Sequence, residues 1–245
     1  GSTDNSLEEV RRIKDDRISI INIPNNGVSF ARNVGILNAK FKYIAFLDAD
    51  DEWQDNYLFV MLGLIKEYDK AMVFYSKFTS SGSSEATIIE DVEGYEYSYY
   101  SPTNKILMCS SNVVVHRSCF HRVGFFDTRL THGEDLDMWR RLIINFPIAR
   151  TSKSLVSIDR SFSLERATNH LPDIRRKFDY HLDLKSITNK PELEYWLLHI
   201  YGNLSTYWRR HEYLAVIKLL LKHKFYLAAF IKLKIRRKQK DLNMI

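Results

Sequence analysis

The sequence contains few of the residues that cross-link a chain or anchor it in a membrane. Its only two cysteines, Cys109 and Cys119, lack C-x-x-C spacing. A chain of 245 residues can bury a large core without disulfides, so this cysteine usage fits a reducing cytosol. No apolar run approaches the roughly 20 residues that a membrane-spanning helix needs. The sequence therefore argues against a disulfide-stapled domain and against an integral membrane protein.

The residues that are present indicate a folded core and an uneven surface charge. Hydrophobic residues make up 45% of the chain and aromatic residues 13%, which argues against disorder. The formal net charge is +6, but residues 209–245 carry eleven Lys and Arg against two acids, a net +9, so the rest of the chain carries −3. A basic tail on a slightly acidic body predicts that the tail recognises an anionic surface while the chemistry lies elsewhere.

Three aspartates follow an apolar run, since residues 43–47 lead directly into Asp48, Asp50 and Asp51. Such a run is typical of a strand buried on both faces of a mainly parallel sheet, where ligands collect at the carboxyl ends of the strands. Asp48 and Asp50 are one residue apart, so both could reach a divalent cation such as Mg²⁺ or Mn²⁺. The alternative is a solvated acidic turn, because this spacing alone is a weak signal.

Periodicity along the chain predicts an α/β fold in which helices flank a mainly parallel sheet. The C-terminal third is predicted to be helical. The expected helices cover 7–14, 29–39, 54–68 and 134–146, and the expected strands cover 18–23, 43–47, 71–75, 87–89, 112–116 and 155–158.

A second acidic pair, Glu134 and Asp135, opens one of these helices. Backbone N–H groups and the helix dipole favour the ionised form of a carboxyl at this position, so Asp135 is expected to be charged at neutral pH. A positioned carboxylate of this kind suits general-base chemistry. The alternative is that both are ordinary acids at a helix start.

Five motifs in order give the chain a family resemblance: GSTDNS at 1–6, NGVSFARN at 26–33, FLDADD at 46–51, VGFFD at 123–127 and GEDLDMW at 133–139. With these motifs the chain resembles the GT-A nucleotide-sugar glycosyltransferases of the large bacterial family 2. The resemblance covers roughly the first 160 residues. It implies a GT-A catalytic domain over 1–165, followed by a helical, basic region over 166–245.

The resemblance also implies roles for particular residues. Asp50 and Asp48 would hold Mn²⁺ or Mg²⁺ at the diphosphate, with Asp48 also near the ribose. Arg32 and Asn33 would bind the nucleotide sugar. Asp135 would be the general base of an inverting transfer, and Glu134 would orient the acceptor.

The chain departs from the family pattern in two places. The family opens with a strand near Pro-x-Tyr-Asn and a second strand ending in paired aspartates, and this chain begins after both, so we expect an N-terminally incomplete enzyme. Relatives also carry an arginine and then a histidine after the strand at 155–158, whereas Arg160 is followed here by Ser161 and Phe162.

The C-terminal third alternates aromatic, aliphatic and basic residues. Helices with a basic face and an apolar face suit the headgroup layer of an anionic membrane. The alternative is a helical subdomain that packs on the catalytic core. No nucleic-acid-binding motif is present, so we do not expect a nucleic-acid partner.

These observations predict a metal-dependent inverting transferase. It would move a hexose or N-acetylhexosamine from a UDP-sugar to a surface glycan or lipid-linked acceptor, at the cytoplasmic face of the membrane. One alternative is a non-catalytic, membrane-associated or partner-binding remnant of such an enzyme. Another is a phosphoryl-transfer or pyrophosphatase activity that uses Asp48 and Asp50.

Overall fold

The computed structural model describes residues 1–80, 94–96, 108–159 and 173–242. Within these ranges the helices are α1 Ser6–Arg12, α2 Val28–Asn38, α3 Tyr57–Glu67, α4 Cys119–Val123, α5 Glu134–Ile143, α6 Phe178–His181, α7 Lys190–Arg209 and α8 Tyr213–Leu242. The strands are β1 Tyr43–Ala45, β2 Asp51–Trp53, β3 Val73–Ser80, β4 Gly94–Glu96, β5 Val113–His116 and β6 Ile148–Ile158.

The described strands form one mixed sheet in the order β1-β5-β3-β6-β2, with β4 also paired to β6. Only β3 and β6 run parallel, and the other four described pairings are antiparallel. The predicted α/β class with flanking helices and a helical C-terminal part is confirmed, but the sheet is not mainly parallel. The predicted strand at 18–23 forms no strand, so the parallel neighbour expected for β1 is not part of the described sheet.

The segment 18–23 shows why its pattern was misleading. Ile18, Ile20 and Ile21 are each more than 40% exposed, and none of the described strands pairs with them. Alternating apolar residues favour an extended backbone, but a strand also needs a neighbour for its N–H and C=O groups. The other predicted elements in the first 160 residues are observed close to their expected places, except for the strand at 87–89, which lies outside the described residues.

Side chains alternate across the sheet and build a core on each face. Val73, Tyr75, Val113 and Val115 pack with Trp139 of α5 on one face. Phe74 and Val114 pack on the other face against α3, whose buried residues are Tyr57, Met61 and Leu64.

A third core ties the C-terminal helices to α5. Leu130 is buried there with Phe178, Trp196 and Leu219, and Leu136 and Ile143 of α5 pack against them. Arg140 on α5 also donates to Glu192 on α7 at 2.8 Å, with both side chains largely buried. The domain boundary predicted at residue 165 falls among residues outside the described ranges and stays a prediction. Among the helices that the structure describes, none is both long and apolar enough to span a bilayer.

Candidate active site

The segment with Asp48, Asp50 and Asp51, here called the acidic turn, crosses the sheet at the ends of its strands. β1 and β2 are the outer strands, and residues 46–50 connect them past the ends of β5, β3 and β6. The Asp51 N–H closes the turn on the Asp48 carbonyl at 3.1 Å. Asp50 is exposed, whereas Asp48 and Asp51 are half-buried. This is the edge of the sheet at which ligands of α/β proteins bind.

Ser111 holds this turn in place through hydrogen bonds of its hydroxyl and its carbonyl. Its hydroxyl accepts the Asp48 N–H at 3.0 Å and donates to the Asp51 carboxylate at 2.6 Å. Its carbonyl accepts the Trp53 indole N–H at 2.6 Å. Burial raises the pKa of Asp51, and the Ser111 hydrogen bond opposes that rise.

Ser111 was not predicted from the sequence. The signal for it is its place in Ser110–Asn112, three consecutive polar residues directly before β5, which begins with three valines. All three polar residues are buried. Buried polar groups are kept where they have hydrogen-bond partners, and here Ser111 has three.

Arg32 on α2 connects the acidic turn to the second acidic pair. Its guanidinium donates to both carboxylate oxygens of Asp48, at 2.8 and 3.0 Å, and to Glu134 at 3.0 Å. Its side chain is only 11% exposed. Burial lowers the pKa of Arg32, but Asp48 and Glu134 outweigh that effect and hold the pKa above its ordinary value.

Asn33, the next residue on α2, fixes the loop that leads towards α5. Its amide donates to the Phe126 carbonyl at 2.9 Å and accepts the Phe126 N–H at 2.8 Å. The Phe126 ring in turn lies 5.4 Å from the Arg32 guanidinium carbon. These contacts give Asn33 a structural role in the loop, and its predicted contact with the nucleotide sugar stays a prediction.

Gly133 and the C-terminal region set the start of α5. Gly133 has φ +74°, and a Cβ at this position would lie 2.9 Å from the Phe178 Cβ, so a larger residue would push the two segments apart. The Phe178 N–H donates to the His132 carbonyl at 3.1 Å and the Thr131 N–H to the Arg176 carbonyl at 2.9 Å. The C-terminal region therefore holds the loop that positions Glu134 and Asp135.

Asp135 has an unusual protonation equilibrium. Burial, and secondarily the charge of Glu134, raise the pKa of Asp135 to about 6, although Asp135 accepts the Leu136 N–H at 2.7 Å and feels the charge of Arg32. The helix start was expected to favour the ionised form, and in this direction the prediction is wrong because burial is the stronger effect. The carboxyl is still mainly ionised at neutral pH, as expected.

The tryptophans and cysteines near the site have structural roles. Trp139 is fully buried between Phe46 and Phe126, and Trp53 stacks on Tyr57 with ring centres 4.3 Å apart. Both cysteines are free, and burial raises the pKa of each thiol to about 12. Neither thiol is a nucleophile at neutral pH.

The donor set at the acidic turn suits a metal that arrives with its substrate. Across the ranges that the structure describes, no three His, Cys, Asp or Glu side chains converge as a metal cage. Mg²⁺ and Mn²⁺ at nucleotide sites commonly use one or two carboxylates and take their other ligands from phosphates and water. Asp50 and Asp48 fit that requirement, with Asp48 shared with Arg32. Arg160 and the two residues after it lie outside the described ranges.

The mixed sheet with flanking helices is the GT-A fold, and in this chain an acidic turn at the strand ends is joined to a Glu-Asp pair through one arginine. The crystal structure of S. aureus TarS residues 1–349 in complex with UDP-GlcNAc has this fold. The alignment covers 91% of this chain and 61% of the TarS chain, with a TM-score of 0.59 and 16% sequence identity.

The family follows from the sequence match. The model of glycosyl transferase family 2 matches residues 1–127, just over half of the chain. The chain therefore belongs to glycosyl transferase family 2 and contains the family domain over residues 1–127.

Two relatives match stretches of different length. An uncharacterized glycosyltransferase of Rickettsia conorii is 29% identical over 164 residues, which is 64% of this chain and 26% of that protein. WfaP of Escherichia coli, named a UDP-Glc:alpha-D-GlcNAc-diphosphoundecaprenol beta-1,3-glucosyltransferase, is 49% identical over 55 residues, 21% of each chain. The chain thus spans about a quarter of the Rickettsia relative.

Proposed function

We propose that the chain carries the transferase site of an inverting enzyme that uses a UDP-sugar. It would move a hexose or N-acetylhexosamine to a surface glycan or a lipid-linked acceptor. The observation that carries this proposal is the position of Arg32, which contacts Asp48 at 2.8 Å and Glu134 at 3.0 Å. Arg32 thereby links carboxylates that are 86 residues apart in sequence, and Asp135 adjoins Glu134.

On the donor side, Asp50 and Asp48 would hold Mn²⁺ or Mg²⁺ against the diphosphate. When bound, the metal supplies positive charge that stabilises the leaving UDP. Arg32 keeps the Asp48 carboxylate in place and adds a permanent positive charge beside it. The UDP-glucose donor in the name of WfaP supports a uridine nucleotide here as well.

On the acceptor side, Asp135 removes the proton from the acceptor hydroxyl as that oxygen attacks the anomeric carbon. A base works best when its pKa lies close to the working pH, and the raised pKa of Asp135 meets this condition better than an ordinary aspartate. Attack from the side opposite UDP inverts the anomeric configuration. Glu134, held by Arg32, orients the acceptor or the base.

The acceptor class fits a location at the inner face of the cell membrane. The diphosphoundecaprenol acceptor in the name of WfaP is a membrane lipid. The basic C-terminal helices of this chain would hold the enzyme peripherally at an anionic cytoplasmic surface, where such an acceptor is found.

The proposal is tested by incubating the chain with Mn²⁺, UDP-glucose or UDP-GlcNAc, and a GlcNAc-diphosphate lipid acceptor. The expected product is a β-linked disaccharide lipid from the α-linked donor, with the linkage read by NMR. Release of inorganic phosphate without sugar transfer would favour the pyrophosphatase alternative. No turnover together with no heat of UDP binding at millimolar concentration would favour the non-catalytic remnant.

A further inference from the structure

Over residues 213–228, where the structure describes its side chains, α8 has two apolar faces, and only one of them is covered. Val216, Leu219 and Leu227 are buried in the core that α8 shares with α7. His223 is buried at a kink in the helix, where its ring nitrogen lies 2.8 Å from the Asp179 carbonyl of α6. These contacts account for one side of the helix only.

The opposite side exposes a row of large apolar side chains. Leu214, Ile217 and Leu221 follow the three- and four-residue spacing that places side chains on one helix face, and Phe225 continues that spacing just past the kink. Leu221 is 65% exposed and Phe225 is 76% exposed. We name these four residues the outer face of α8. Contiguous exposed apolar surface of this kind usually marks an interaction site.

Lysines lie beside the outer face. At 100° per residue, Lys218 and Lys222 lie on one flank of the row before the kink, and past the kink the Lys224 ammonium lies 5.0 Å from the Phe225 ring centre. The sequence contains no Asp or Glu between Glu212 and Asp241, so nothing on the helix neutralises them. A second copy of the chain would bring these lysines against their equivalents, which disfavours self-association. Anionic lipid headgroups would instead pair with them while the apolar row enters the acyl boundary.

We propose that the outer face of α8 lies in the plane of an anionic bilayer surface, with Leu221 and Phe225 below the headgroup phosphates and the flanking lysines level with them. This inference rests on the peripheral membrane location in the proposed function, and it adds the contact residues and the orientation of the helix. It is independent of the donor and the transferred sugar.

The buried side of α8 is connected to the site through α6. His223 contacts the backbone of α6 at Asp179, and the neighbouring Phe178 N–H bonds to His132, one residue before Gly133. A bilayer bound at α8 therefore fixes the orientation of the loop that presents Glu134 and Asp135. This arrangement suits an acceptor whose lipid part stays in that bilayer.

The test is co-sedimentation of the chain with vesicles of phosphatidylglycerol and phosphatidylcholine, compared with vesicles of phosphatidylcholine alone. The double variant L221S/F225S should bind the anionic vesicles at least about tenfold more weakly, since each buried apolar side chain contributes roughly one order of magnitude. The matched control is L58S/F59S, which removes apolar side chains that are 61% and 79% exposed on α3 and should bind like the unaltered chain. K218Q/K222Q should bind the anionic vesicles more weakly and bind the phosphatidylcholine vesicles as the unaltered chain does.

Several results would overturn the inference. These are failure of the unaltered chain to bind anionic vesicles, unchanged binding by L221S/F225S, or a dimer in light scattering that L221S/F225S dissociates. Thermal unfolding followed by circular dichroism checks that each variant is folded. Turnover of UDP-sugar with a short-chain, water-dispersed acceptor should be the same in L221S/F225S and the unaltered chain. Absence of turnover in both L221S/F225S and the unaltered chain would count against the proposed function and not against membrane contact by the outer face of α8.

Discussion

The two acidic groups at the site are held in different ways. The turn at Asp48 to Asp51 is open to solvent at Asp50, and a serine hydroxyl and backbone bonds fix its shape. Glu134 and Asp135 are more enclosed, and the Glu134 side chain is 12% exposed. Backbone hydrogen bonds from the C-terminal region hold the loop before α5. Arg32 is the side chain that contacts both groups.

This difference matches two different chemical demands. A metal–diphosphate complex must enter and leave, so its carboxylates belong on a hydrated turn. A general base gains from partial desolvation, which raises the pKa of a carboxyl towards neutrality. The proposed donor side thus depends on local hydrogen bonds, and the proposed acceptor side depends on packing with residues far along the chain.

Replacing Arg32 by Met should have the largest effect, because it removes the link between the two groups. Glu134 would be left largely buried without its cation, which should lower the free energy of unfolding by about 3 kcal/mol. The pKa of Asp135 should rise further, since Arg32 lowers it, so the rate should reach half its maximum at a higher pH. Urea unfolding and a pH–rate profile measure these two effects.

The control for this variant is Arg12→Met on α1. Arg12 and Glu9 form an ion pair whose side chains are 71% and 59% exposed. Exposed pairs contribute well under about 1 kcal/mol, so stability and pH profile should both stay the same. If R32M weakens donor binding and leaves the pH profile unmoved, the two acidic groups are not coupled through Arg32.

Replacing Asp135 by Asn should have the next largest effect on stability, and in the stabilising direction. A folded-state pKa raised to about 6 means that the folded chain holds a proton that the unfolded chain releases near its ordinary value of 3.8. The stability of the unaltered chain should therefore fall as pH rises between these values. D135N lacks this loss and should be more stable at pH 7 by an amount on the order of 2 kcal/mol. Chemical unfolding at pH 4 and pH 7 tests this, and equal pH dependence in both chains would contradict it.

Replacing Ser111 by Ala should have the smallest effect and act on the donor side alone. The turn loses two hydrogen bonds, so the affinity for UDP with Mn²⁺ should fall about tenfold, while the pH profile set by Asp135 should not move. Calorimetry gives the affinity, with Ser118→Ala, an exposed serine on the same stretch, as control. A shifted pH profile in S111A would show that the two sides are not separable.

The elements of the first 160 residues could be predicted largely because their signals are local. The apolar run before Asp48 and the period of α5 each lie within one short segment. Segment 18–23 has an equally clear pattern but depends on a neighbouring strand that the segment itself cannot specify.

The parts of the site that could not be predicted depend on long-range contacts. The Ser111 hydroxyl bonds to residues 60 or more positions away, and the Asn33 amide bonds to the Phe126 backbone, 93 positions away. The pKa of Asp135 is governed by burial, which arises from packing and has no local sequence signal. Composition predicted a basic helical tail, but not that its helices would hold the loop before Asp135.

The most direct test of the roles proposed for the two acidic groups is a pair of measurements on D135N. One is turnover with a UDP-sugar and acceptor, and the other is the calorimetric affinity for UDP with Mn²⁺. We expect turnover to fall by about 10² to 10⁴-fold while the affinity for UDP changes less than about twofold. Turnover close to that of the unaltered chain would remove Asp135 as the base and contradict the account.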